Sequence, residues 1–447
     1  DVNGDGIGDV IVGAYAADPV VGTTRGNAGI AYVLFGRSKA VDLAASYANN
    51  DLLPLNTAGS ALGFAILGAK ASDQNGRTVS AAGDVNGDGI DDIIVGASVA
   101  DPVVGGTTRT DAGISYVVFG RSKTVDLVAS YANIDLLPFN TVGSALGFAI
   151  LGATAGDQCG RSVSVASDVN GDGLSDVIVG AYLADPVVGG ATQDSAGISY
   201  VIFGRSKAVN LTASYANIDL LPLNTAGSAL GFAILGGASS DSSGYSVSAA
   251  GDVNGDGIGD IIVGAYQADP VVGTTRTDAG ISYVIFGRSK ADSPAAYYDN
   301  IDLLPLNTTG SSLGFAILGA ASSDNSGYSV SAAGDVNGDG ISDVIVGAWN
   351  ADPVVGGTAR NNAGISYVIF GRSKAVDLAA SYANIDLLPL NTAGSPLGFA
   401  IWGAKTYDQS GWSVSAAGDV NGDGIGDVIV GAYYASPVVG GTTRNSA

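Results

Sequence analysis

Histidine, glutamate and methionine are absent from this sequence, and cysteine occurs once, at position 159. The first absence removes the imidazole base, the Ser-His pair and ordinary zinc or haem ligation through imidazole. Most hydrolase and oxidoreductase machinery goes with it, and no enzyme is expected. A lone cysteine permits no internal disulfide. Cys159 stands in a turn column filled elsewhere by Asn or Ser, where an exposed spare thiol with no activating base is expected. No apolar run free of Gly and Pro approaches the roughly 20 residues of a membrane span, so no membrane insertion is expected. Positive charge is scarce too: 19 Lys and Arg face 42 acidic residues, all of them Asp, for a formal charge of -23. That balance repels nucleic acid and anionic lipid, and favours cations as partners.

What is present is repetition. Close variants of "DVNGDGIGDVIVGA" begin at Asp1, Asp84, Asp168, Asp252, Asp335 and Asp419, separated by 83 or 84 residues. The chain therefore divides into units 1–83, 84–167, 168–251, 252–334 and 335–418, with a partial unit 419–447. The units from Asp1 and Asp252 lack one Gly, reading "VVGTTR", so loop length at that point is the tolerated variable. Asp1 falls inside a repeat, so the start reads as a processing point or as the edge of a longer array.

Each unit writes four strands as short apolar, β-branched runs bounded by Gly, Asn and Asp. In the third unit they are "RSVSVASDV", "DVIVGAY", "GISYVIFG" and "GFAILGG". Alternate residues of "ISYVIF" are apolar on both sides, which predicts a sheet covered on both faces. Between the third and fourth strands a stretch free of Gly and Pro, such as 37–53, predicts one short helical turn. Its caps would be Asp42, Asp126, Asn210, Ser293 and Asp377, and the following Leu52-Leu53-Pro54 should end it.

The acidic loop carries the chemistry. In "DVNGDGIDD" from Asp84, oxygen side chains fall at positions 1, 3, 5 and 9. Gly at position 6 allows the sharp turn, and position 7 can offer its carbonyl. Three carboxylates within nine residues repel one another unless a cation intervenes. Oxygen ligands at this spacing suit calcium, while magnesium tends to keep its waters, and an Asx-rich turn with no metal is the bland alternative. An EF-hand would need Glu at position 12, where Val95 stands inside a strand, so the loop is a hairpin rather than a helix-loop-helix.

The segment "SGYSVSAAGDVNGDGIGDIIVGA" from Ser243 resembles the FG-GAP repeat of integrin α-subunit propellers and of large secreted bacterial repeat proteins, and the resemblance spans the chain. It implies an all-β, β-propeller-like array of four-stranded antiparallel blades with calcium-binding hairpin loops. In such blades the loop joins the innermost and second strands. The ligands it implies are Asp1, Asn3, Asp5, Ile7 (by its carbonyl) and Asp9; Asp84, Asn86, Asp88, Ile90 and Asp92; Asp168, Asn170, Asp172, Leu174 and Asp176. In the remaining loops they are Asp252, Asn254, Asp256, Ile258 and Asp260; Asp335, Asn337, Asp339, Ile341 and Asp343; Asp419, Asn421, Asp423, Ile425 and Asp427. That is up to six calcium ions, about one per loop.

Two columns depart from the family pattern. Its Phe before the first Gly is replaced by Asn75, Cys159, Ser243, Ser326 and Ser410. Its Pro after Gly-Ala is replaced by Tyr15, Ser98, Tyr182, Tyr266, Trp349 and Tyr433. The aromatic column is read as packing between blades, with sugar-stacking platforms as the alternative. The "FGRSK" segments read as solvated turns whose Arg and Lys pair with Asp. Asp18, Asp101, Asp185, Asp269 and Asp352 open turns before Pro, and Asn210 and Asn307 begin glycosylation triplets. The expected function is an extracellular or cell-surface, calcium-stabilised structural or adhesive repeat protein, able to assemble with copies of itself into a fibre. A carbohydrate-binding propeller is the alternative, with surface glycans or proteins as partners.

Overall fold

A computed structural model describes the chain except residues 38–50, 57–58, 123–131, 142–143, 207–215, 290–298, 309, 374–382, 393–394, 437, 440–441 and 444–447. The proposed helical caps Asp42, Asp126, Asn210, Ser293 and Asp377 lie outside the described residues. The described residues are all β apart from single 3-10 turns.

The blade that opens the third unit shows the pattern. Its first strand, Ser162–Ser167, pairs antiparallel with the second, Asp176–Ala181. The second pairs with the third, Ile198–Ile202, and the third with the fourth, Gly231–Leu235. Equivalent sheets are built on Thr78–Gly83, Ser246–Gly251 and Ser329–Gly334 as first strands. An N-terminal sheet holds Val10–Ala14, Ile30–Leu34 and Gly63–Leu67, and a hairpin of Ser410–Gly418 with Asp427–Ala432 follows the fifth sheet. First strands of successive blades lie side by side. They interlock through hydroxyls: the Val247 amide donates to Ser162 Oγ at 3.0 Å, as Val330 does to Ser246 and Val414 to Ser329.

The second strands of the four central blades are buried along their whole length, as the two-faced apolar pattern requires. The core lies between blades rather than within one. Ile94, Val117 and Phe148 of one sheet pack with Val177, Tyr200 and Ala233 of the next. Glycine sets the spacing there. A Cβ on Gly264 would stand 2.0 Å from the Gly327 carbonyl oxygen of the following blade, and the equivalent Gly180 would meet Gly244 O at 1.9 Å. The "VGA" glycine of the first five repeats is thus a close-approach glycine.

Three features go beyond the four-strand reading. A two-residue strand from the next unit adds in parallel to the outer edge of each of four blades, as Ile218–Asp219 does beside Gly147–Leu151. The "LPLN" segment does not merely end a helix, because Leu137–Asn140 and its equivalents form 3-10 turns themselves. Proline's fixed φ suits the start of such a turn. Each turn ends on an Asn that accepts from a buried Tyr hydroxyl, as Asn140 does from Tyr116 at 2.6 Å. Asn307 has this role for Tyr283, so its "NTT" triplet overlies a structural column present in every unit. The "VVGG" segment makes a small two-stranded ribbon, Val103–Val104 with Thr107–Thr108, whose turn tolerates one Gly or two. The Asp before Pro pins the ribbon's base: Asp101 Oδ1 accepts from the Asp111 amide at 2.8 Å.

Candidate metal centre

The first strand ends in a bulge, with a register shift between Ala81 and Gly83, that throws the chain into the acidic loop. Gly83 takes φ +67° at that point, Gly251 φ +78° and Gly334 φ +77°. Ser167 holds the same left-handed conformation at φ +64° without glycine's freedom. Inside the loop, Gly87 (φ +72°) and Gly89 (φ +85°) let backbone amides turn inward. The position-1 carboxylate collects them. Asp84 Oδ1 accepts from Gly87 and Asp88 at 2.6 and 3.0 Å, and Oδ2 from Gly89 at 2.8 Å. Asp88, at position 5, caps the Ile90 amide at 3.2 Å and is exposed.

Position 9 points the other way. Asp92 opens the second strand and is fully buried. It accepts from the Val85 amide at 3.0 Å and, across the blade, from the Gly120 amide at 2.9 Å. Burial, aided by the negative charges of Asp88 and Asp84, pushes its carboxyl up to about 8. Asp176 and Asp260 are raised to about 8 for the same reasons, and Asp343 is raised. Asn86, at position 3, lays its amide on Asp92 at 3.2 Å. Its Oδ1 is buried with no donor among the described residues, as are those of Asn3, Asn170 and Asn254.

The structure thus brings positions 3 and 9 together beneath the loop, while positions 1 and 5 gather backbone amides at its surface. Among the described residues, no three carboxylate or thiol groups converge into a ready-made cage. The donor set nevertheless suits a hard divalent cation. Among the described residues, a buried carboxylate with no cationic partner and a buried amide oxygen with no hydrogen-bond donor are both oxygen donors of the kind calcium takes.

Other columns fall differently from their sequence reading. Cys159 is fully buried, not exposed. A Cβ on Gly113 would meet its carbonyl at 2.0 Å, so the turn is pressed under the neighbouring strand, and burial raises its thiol far above the ordinary range. Four arginines of "FGRSK" are half-buried rather than solvated. Arg121, Arg205, Arg288 and Arg372 lie over Phe64, Phe148, Phe232 and Phe315, rings of the preceding blade, at 4.5 to 5.4 Å from the ring centroids or, for Arg121 and Arg372, at 4.6 Å. The lysines of those segments lie outside the described residues. The aromatic column packs. Tyr182, Tyr266 and Trp349 interleave with Tyr245, Tyr328 and Trp412 at centroid distances between 4.6 and 5.7 Å.

Two inter-blade links escaped the sequence reading. Arg109 forms a bidentate pair with Asp219 of the next unit at 2.6 and 3.1 Å, as Arg25 does with Asp135 and Arg276 with Asp386. Asn217 bridges to the preceding blade, accepting from Ala149 N at 2.9 Å and donating to Phe139 O at 2.6 Å. The signal was present as the recurrent "ANID", but a pair 110 residues apart is invisible without a fold.

Comparison with known proteins agrees with this geometry. A family model for the FG-GAP repeat matches residues 75–118, 160–202, 243–285, 326–369 and 410–447. Each of the first four segments runs from the buried turn through the acidic loop to the third strand. Over 278 residues the chain is 28% identical to integrin alpha pat-2 of Caenorhabditis elegans, covering 61% of this chain and 18% of the relative. Integrin alpha pat-2 of Caenorhabditis briggsae is 26% identical over 279 residues, with the same shares. Integrin alpha-4 of Xenopus laevis is 25% identical over 189 residues, 42% of this chain and 14% of the relative. The chain therefore spans less than a fifth of the length of these relatives. With blades, acidic hairpins and repeat matches in one register, the chain carries five FG-GAP repeats and is built of β-propeller blades.

Proposed function

We propose that this chain is a non-catalytic, extracellular adhesion-type scaffold whose acidic hairpins are clamped by calcium. In the second loop, Asp84, Asn86, Asp88, the Ile90 carbonyl and Asp92 would hold the ion, and the same positions would do so in the other five. The observation that carries this reading is the buried pair at the base of the loop: a carboxylate without a countercharge beside an amide oxygen without a donor. The likeness to integrin α chains supports a place at the cell surface with proteins as partners. Assembly with further copies of the chain belongs to the same proposal. Glycan binding is the weaker reading, because the aromatic rings are stacked on one another and so are spent on the joints between blades.

Calcium removal tests it. Extracellular modules bind calcium with Kd about 10⁻⁴ to 10⁻³ M. At about 2 mM calcium each loop then contributes about 0.6 to 1.8 kcal/mol. EDTA should lower the melting temperature by far more than matched magnesium or sodium salts do, and calorimetric titration should show calcium uptake. A melt indifferent to EDTA, with no calcium bound, overturns the clamp.

A further inference from the structure

We infer that cation binding at neighbouring loops is coupled, so that calcium loads the array cooperatively; this rests on the calcium reading above. The coupling element is the Gly-Arg pair after each third strand. In the third unit, the Gly204 amide donates to Asp176 Oδ1 at 2.8 Å, the position-9 carboxylate of its own loop. The next amide, Arg205, donates at 2.8 Å to the carbonyl of Val85 in the preceding loop. Val85 in turn gives its own amide to Asp92 Oδ2 at 3.0 Å. Three hydrogen bonds therefore join the position-9 carboxylates of two loops, Asp92 and Asp176, through a single dipeptide.

The same strut recurs at the other covered loops. Gly120-Arg121 joins Asp92 to Val2, Gly287-Arg288 joins Asp260 to Val169, and Gly371-Arg372 joins Asp343 to Val253. The fit is tight, since a Cβ on Gly287 would meet Gly259 O at 2.3 Å and Val169 O at 3.1 Å, one carbonyl from each loop. A second contact runs directly between loops. The Ser175 amide donates to Asp84 O at 3.0 Å, and equivalent bonds link all five successive pairs. Leu174, whose carbonyl is the proposed position-7 ligand, packs its side chain on Gly87 of the preceding loop, 2.9 Å from where a Cβ would stand.

The molecule contains its own comparison. In the four loops covered by the next unit's Gly-Arg pair, the position-3 Asn is buried with its amide on the position-9 carboxylate. The loops from Asp335 and Asp419 have no such cover among the described residues. There the Asn turns outward: Asn337 and Asn421 accept from the amides of Asp339 and Asp423 at 2.9 Å. The position-3 donor thus has two arrangements, and the neighbouring unit selects between them. A cation that fixes one loop in the inward arrangement fixes the strut that shapes the next, which is the two-state element coupling requires.

The test is calcium titration of the full chain by calorimetry, with Asp172→Ala, Asp423→Ala and Leu174→Ala as variants. Asp172 and Asp423 are exposed position-5 ligands, so their loss leaves the core intact. Coupling predicts wild-type binding steeper than independent sites allow. It also predicts that Asp172→Ala weakens the flanking loops about fivefold or more besides deleting its own site. Asp423→Ala should likewise weaken the loop from Asp335, to which its own loop is bonded. Leu174→Ala keeps every proposed ligand and should flatten the curve. Hyperbolic wild-type binding, with each Asp variant losing one site and Leu174→Ala changing nothing, overturns the coupling while leaving the calcium sites standing. Absence of calcium uptake by the wild type would instead refute the sites themselves.

Discussion

Gly264→Ala adds one methyl group at a tight joint between blades. Its Cβ would lie 2.0 Å from the Gly327 carbonyl oxygen, more than an ångström inside van der Waals contact. No side chain can yield, because the obstacle is backbone whose own amide is bonded to Gly347 O at 3.1 Å. The blades must separate, and the face between them, including Ile262, Val284 and Tyr367, loses its packing. Overpacking of a yielding core costs about 1 to 3 kcal/mol; a rigid backbone contact should cost at least about 3 kcal/mol. Gly273→Ala is the matched control. It sits in a ribbon turn at φ +70° with nothing within 4 Å, so it pays only the left-handed strain of about 1 kcal/mol. Urea unfolding in saturating calcium reads both. If Gly264→Ala shifts the midpoint no more than Gly273→Ala, blade spacing is not set by this glycine.

Three further outcomes are expected. Asp219→Ala, which breaks the bidentate pair with Arg109, should cost about 1 to 3 kcal/mol. Asp302→Ala should cost less, because Gln193 stands where its Arg partner would be; equal losses by thermal melting would show that the pair contributes nothing. Burial raises the carboxyls of Asp241 and Asp324 to about 7, and of Asp73 and Asp157 to about 6, with Asp269, Asp352, Asp101 and Asp185 adding like charge. Raised folded values mean the native state holds protons that the unfolded chain releases near pH 4, so this stability is lost as pH rises through 6 to 7. In saturating calcium, the urea midpoint should fall between pH 5.5 and 7.5, and Asp241→Asn should reduce that slope; a flat profile refutes it. Ser167→Gly should stabilise by about 1 kcal/mol, by relieving a left-handed serine; a lower melting temperature would refute the strain.

The repeat period, the strands and the acidic loop were legible because each is written locally, as alternation, turn residues and oxygen spacing within about ten positions. Tyr200, Val201 and Ile202 read as part of a two-faced strand and are buried so. What escaped depends on the next unit. Cys159 looked like a surface turn because its cover, Gly113 and Ser115, lies some 45 residues away in the chain. Arg205 looked solvated because Phe148 belongs to another blade. The oxygen-bearing positions of the loop were readable as a set, but not the division of labour that buries Asn86 and Asp92 while leaving Asp88 outside. That division follows from Gly120 and from Arg205 of the adjoining unit, which no local pattern announces.

The forward reach of each unit bears on how such a protein changes length. Arg25, Arg109 and Arg276 all meet their Asp at the same offset of 110 residues, and the parallel edge strand and Asn bridge keep step with them. Recombination between near-identical repeats that removes or duplicates one whole period therefore keeps the surviving joints in register. Genes of this kind can lengthen or shorten in discrete steps without a frustrated intermediate, whereas a deletion of half a period would strand both sides of a seam.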